Sequence, residues 1–132
     1  MVNSDCAEWL RFAKMDMENV ELLMEQRKKK AEIILFHCQQ TAEKALKAYL
    51  VNNNTWSGNI HDLIRLLQAC GGIDSRFMGK RMVNHCAFLD QYSKDIKYPF
   101  HNMALDAKQL RRAVNSAKRV FDFVNEALSL GR

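Results

Sequence analysis

A chain of 132 residues with one proline and five glycines is the size of a single domain, and it lacks the frequent turn signals of a many-stranded β fold. Its 20 Lys and Arg against 15 Asp and Glu leave a net charge of +5, which permits phosphate, nucleotide or RNA partners without requiring one. No apolar run of roughly 18 residues occurs, so no membrane span is expected. The opening Met1-Val2-Asn3-Ser4-Asp5 does not read as a signal peptide, which makes the cytoplasm the default compartment.

The first helix is expected to start near Asp5, with Glu8 three residues on completing a capping-box pattern. Trp9, Phe12, Ala13, Met17, Val20, Leu23 and Met24 then recur at the three- and four-residue spacing of one buried stripe, with Asp16 set beside it. The basic run Arg27-Lys28-Lys29-Lys30 is either a corner or part of a longer joined helix. A second helix follows over about 30–51. Ala31, Ile34, Leu35, Cys38, Ala42, Ala45, Leu46 and Tyr49 form one wide apolar face. Phe36, Gln40, Glu43, Lys47 and Leu50 form the opposite face. A surface helix has no reason to place Phe36 and Leu50 there, so a second covering element or a second subunit is expected.

The stretch from Asn52 to Asn59 reads as a loop, with Asn59 as the cap of a third helix that buries Leu63, Leu66, Leu67 and Cys70 and stops at Gly71-Gly72. A link through 73–80 leads to a fourth helix over about 81–94, with Met82, Cys86 and Leu89 inward. Pro99 forces an extended or turn conformation on the residue before it. A last helix over about 105–130 repeats Leu110, Val114, Ala117, Phe121, Val124 and Leu128 at alternating spacings of four and three, a seam suited to bundle packing. No segment alternates with period two for long, and no internal repeat is evident. The expectation is one all-α domain over 1–132, a four- to five-helix antiparallel up-down bundle.

Cys6, Cys38, Cys70 and Cys86 are far apart and form no C-x-x-C pair, so they read as reduced core thiols. His37-Cys38 and His85-Cys86 invite a zinc reading, but neighbours on a helix point about 100° apart and rarely serve one ion. No metal site is expected.

The stretch from Phe36 to Leu50, F-H-C-Q-Q-T-A-E-K-A-L-K-A-Y-L, resembles the signature helix of bacterial stand-alone HEPN domains (higher eukaryotes and prokaryotes nucleotide-binding), with its phenylalanine, paired glutamines and E-K-x-x-K-x-x-L. His61-Asp62-Leu63-Ile64-Arg65-Leu66-Leu67 is similar to the family's H-D-L-x-x-L-L. Tyr92 and Tyr98-Pro99 resemble the tyrosine and R-Y-P that precede its last helix, and Trp9, Ala13 and Asp16 fit its first. The resemblance implies a helical bundle that pairs as a homodimer around a cleft. It implies two kinds of activity as well. Some members are metal-independent ribonucleases, often toxins, in which an arginine and a histidine four to six residues apart act on the ribose 2′-OH and the phosphate. Others lack that pair and bind nucleotides or partner proteins, often beside a small nucleotidyltransferase.

Lys97-x-x-x-His101 stands where the catalytic pair is sought, and it departs twice: lysine replaces arginine, and three residues intervene. Lysine offers a point charge where arginine grips phosphate with a planar fork. His101 remains a candidate general base. Arg81-x-x-x-His85 and Lys80-x-x-x-x-His85 are further near matches, of a kind expected by chance among 20 basic residues and four histidines. The other candidate binding or interface residues are Gln39, Gln40, Glu43, Lys44, Lys47, His61, Lys97 and Tyr98. His61 reads equally as an anion ligand at a helix start or as a cap. Lys44 and Lys47 read as solvated-face or interface salt-bridge residues before phosphate ligands, Gln39 and Gln40 as subunit packing, and Tyr98 as a shaper of the turn. Asp16 is expected in a buried pair with Lys44 or Lys97.

The sequence thus points to a non-catalytic nucleotide- or partner-binding homodimer that needs no cofactor, with a nucleotidyltransferase-type protein or an antitoxin as partner. A ribonuclease using Lys97 and His101 is the alternative, and a purely structural interaction domain is a third.

Overall fold

The structure, a computed structural model, describes residues 2–96 and 106–130, with side chains through residue 92 in the first span. Lys97, Tyr98, Pro99 and His101 therefore lie outside the described residues. Among those described, five α-helices and one short 3₁₀ turn account for the regular structure. The helices are α1 (Ser4–Met24), α2 (Ala31–Asn52), α3 (Leu63–Ile73), α4 (Lys80–Ile96) and α5 (Ala107–Leu130), with the 3₁₀ turn at Ser75–Met78 between α3 and α4. The basic run from Arg27 is a corner and not a continuous helix.

Helix α1 starts two residues earlier than the capping pattern predicts. Asn3 is its cap, its Oδ1 accepting from the Cys6 N–H at 2.7 Å, while Glu8 pairs forward with Arg11 at 2.9 Å. Asn3 wins because it also reaches across the bundle. Its N–H donates to Asn52 Oδ1 and its Nδ2 to the Val51 carbonyl, so the start of α1 is tied to the end of α2 and the two helices run antiparallel.

Helix α2 is the axis of the molecule. It packs against all four other helices, most extensively α1 and α5, and from Thr41 to Leu50 every side chain except Lys44 is buried. Ala42, Ala45 and Ala48 let its neighbours approach, while Ile34, Leu35, Leu46 and Leu50 fill the spaces between them. The covering element that its second face demanded is in good part α1. Phe36 is not covered and stays 44 % exposed, and Phe12, assigned to the inward stripe of α1, is 41 % exposed. Asp16, Met17 and Val20 carry that stripe instead, with Ala13.

Helix α3 begins at Leu63, capped by Asp62 and not by Asn59, and it runs through Gly71-Gly72 to Ile73. The glycines do not stop it, because Gly71 serves packing: a β-carbon there would collide with the Met78 side chain. The link after α3 folds as the 3₁₀ turn and drives Phe77 fully into the core, where it packs against Tyr49 and, edge-on, against Phe123. All four cysteines are buried and unpaired, and burial pushes the Cys38 and Cys86 thiols up to about 12. No helix among the described residues is long and apolar enough to cross a membrane.

Candidate functional site

The polar residues of α2 gather into two networks against α1 and the segment before α3. Gln39, Glu43 and Lys47 lie at successive four-residue steps, one above another on a helix face. Lys47 Nζ donates to Glu43 Oε2 at 3.0 Å, and His61 Nδ1, 3.0 Å from the same oxygen, donates to it as well, since a carboxylate in a salt bridge can only accept. Gln39 Nε2 donates to Glu43 Oε1 at 3.2 Å and to the His61 carbonyl at 3.3 Å, and Gln40 Nε2 donates to Gln39 Oε1 at 2.9 Å. Gln39, Glu43 and Lys47 are 7 %, 5 % and 6 % exposed, whereas the His61 ring is largely in solvent. Lys47 Nζ also sits 5.6 Å from the Trp9 ring centroid, so the ammonium meets a carboxylate on one side and a π face on the other.

Asp16 on α1 centres the second network. Lys44 Nζ donates to its Oδ2 at 2.6 Å, and His37 Nδ1 meets its Oδ1 at 2.8 Å. Of the two lysines considered for Asp16, Lys44 is thus found, and Lys97 is outside the described residues. His37 turns to α1 while Cys38 points into the core, as the angle between helical neighbours requires. Among the described residues no buried side-chain nitrogen or oxygen lacks a partner, so both networks are closed.

The segment entering α3 is held from two directions. The Asp62 carboxylate accepts from the Ile64 N–H, and Asp90 of α4 accepts from the Leu63 and Ile64 N–H groups at 2.9 and 3.0 Å. The two carboxyls also hydrogen-bond each other. Burial first, then that bond, raises Asp90 to about 6, and the same bond lowers Asp62. Nothing in the sequence singled out Asp90, because its target is reached only through the fold.

The networks border an exposed apolar patch. Phe12 and Met15 flank Asp16 on α1, Lys44 Nζ lies 5.9 Å from the Phe12 ring centroid, and Phe36 packs edge-on against His37. Ile33, one turn before Phe36 on α2, is exposed as well, and Gln40 and Lys44 of the same helix are half-buried. A separate cavity of about 480 Å³ opens between the 3₁₀ turn, α4 and α5. It is lined by Lys80, Arg81 and His85, the basic near matches of the sequence, together with Arg119 of α5. No group of three or more His, Cys, Asp or Glu side chains among the described residues is arranged to hold a metal ion.

No curated protein matches the chain at a significant level. Among protein families, the model described as HEPN domain matches it over residues 6–127.

Proposed function

We propose that this chain, which belongs to the HEPN domain family, is a non-catalytic binding module, working as a homodimer that engages a nucleotide or a partner protein of the nucleotidyltransferase or antitoxin type. The family is associated with nucleotide binding or with ribonuclease activity, and one observation favours the first. Glu43, Lys44, Lys47, Gln39 and His61, polar residues of the α2 and H-D-L motifs, are spent on one another and on Asp16. A catalytic group needs a free acid, base or nucleophile facing substrate. These side chains instead brace α1, α2 and the start of α3 beneath the patch formed by Phe12, Met15, Ile33 and Phe36. A rigid, partly apolar surface with a polar lysine and glutamine at its centre suits a protein contact.

The deciding experiment incubates the purified protein with labelled RNA in EDTA, beside His101→Ala. We expect no cleavage at high protein concentration. Cleavage by the wild type that disappears in His101→Ala would replace this reading with a metal-independent endoribonuclease using Lys97 and His101.

A further inference from the structure

The cavity between the 3₁₀ turn, α4 and α5 lies apart from the surface just described and does not depend on that reading. Arg81 and His85 sit four residues apart on α4 and so share a face. Across the cavity stands Arg119 of α5, and one turn before it Ser116, fully buried, whose Oγ lies 2.9 Å from His85 Nδ1. That contact fixes the ring and commits one nitrogen. Nδ1 is engaged by the Ser116 hydroxyl, which leaves Nε2 as the ring nitrogen for a ligand.

The arginines facing His85 are not locked in ion pairs, although Asp122 and Glu126 line the same cavity. Among the described residues neither Arg81 nor Arg119 is within ion-pair distance of a carboxylate, whereas Arg76 at the rim is forked onto Asp74 at 2.6 Å. The field is felt by the imidazole itself: burial lowers its pKa first, then Arg119, Arg112 and Arg81 in turn. Arg112 stacks over the Phe88 ring at 4.0 Å and adds charge from behind. Two guanidinium forks outside any ion pair and an imidazole lining one cavity match the oxygens of a phosphoryl group, which arginine grips in bidentate fashion. Phe123 and Met82 supply apolar lining.

Asp122 and Glu126, one and two turns further along α5, complete the wall. They would repel a polyanionic strand, but they accept hydrogen bonds from hydroxyl groups. The volume is within the range of small-ligand pockets, roughly 300–1,000 Å³. We propose that this cavity is a binding site for a small phosphomonoester bearing hydroxyl groups, its phosphoryl group held by Arg81, Arg119 and His85 and its hydroxyls by Asp122 and Glu126.

The test follows the histidine ring resonances by NMR, assigned with His85→Gln, during titration with ribose 5-phosphate at constant ionic strength. Parallel titrations use inorganic phosphate, ribose and a short single-stranded RNA. The His85 resonances should shift saturably with ribose 5-phosphate, more weakly with inorganic phosphate and not with ribose. Arg81→Gln combined with Arg119→Gln, both on exposed positions, should weaken binding about tenfold or more with the fold intact, since each loses a charge-assisted bond. Asp122→Asn should narrow the preference for ribose 5-phosphate over inorganic phosphate. The proposal fails if the shifts merely follow chloride, if the double variant titrates like the wild type, or if RNA saturates the site below the concentration that the monoester needs.

Discussion

Glu43 carries the heaviest duty of any single residue in the candidate site. One carboxylate satisfies a buried ammonium and a glutamine of its own helix and a histidine from the segment before α3. The E-K-x-x-K motif suggests two equivalent surface lysines, yet they diverge. Lys47 is buried on Glu43 and Trp9, while Lys44 reaches out to Asp16 on α1. An i, i+4 pair on a solvated helix contributes only about 0.2–0.5 kcal/mol. A buried one behaves differently, because removing one partner leaves the other charge desolvated and unpaired. Glu43→Leu should therefore cost about 3–5 kcal/mol in urea unfolding. Adding Lys47→Met should recover most of that loss. If the double variant is no more stable than the single, the cost comes from His61 and Gln39 and not from the orphaned lysine.

Among the elements, α3 shows best how a short helix is held in place. At 11 residues it is too short to be stable alone, and its first turn contains no acidic residue. Two carboxyls from outside the helix supply what is missing, Asp62 from the preceding residue and Asp90 from α4. The linkage has a definite sign. Asp90 has its folded pKa raised to about 6, so between an unfolded value of about 4 and that point the folded state binds the extra proton. Its contribution to stability therefore grows as pH falls through that window and is lost as pH rises above it. Asp62, lowered, has the opposite dependence at lower pH, losing its contribution as its carboxylate is protonated. Thermal unfolding between pH 7 and pH 5 should show the Asp90 contribution as a rise that Asp90→Asn flattens. An unchanged pH profile in that variant would mean that Asp90 is ionised throughout.

At the scale of the whole molecule, the exposed side chains on α1 and α2 set up a contrast with the interior. Phe12, Met15, Ile33 and Phe36 are each more than two-fifths exposed, although the same helices bury their polar network beneath. Single exposed apolar residues need no explanation, but four on neighbouring helices, with Lys44 and Gln40 among them, are the surface we propose for a contact. A second copy of the chain is the proposed occupant. Phe36→Glu should convert a dimer into a monomer in sedimentation velocity, with circular dichroism unchanged. A wild type that sediments as a monomer at high concentration would instead leave the patch to a different protein.

The helical architecture is written in local spacing. Periods of three and four, few breakers and the order of the E-K-x-x-K and H-D-L motifs suffice to specify an all-α bundle and its central helix, since a helix wheel is fixed by covalent geometry alone. A buried pair of Asp16 with either Lys44 or Lys97 was legible too, and the fold supplies Lys44. What sequence could not reveal depends on neighbours distant along the chain. Asn3 outcompetes Asp5 as a cap because Asn52 and Val51 are within its reach. Phe77 is core and Phe12 is not, because the 3₁₀ turn closes over the base of the bundle while the outer side of α1 is left open. Arg81 and His85, an unremarkable pair in the chain, acquire Ser116 and Arg119 only when α4 and α5 pack side by side. Spacing along one helix decides which residues share a face; only packing decides what that face meets.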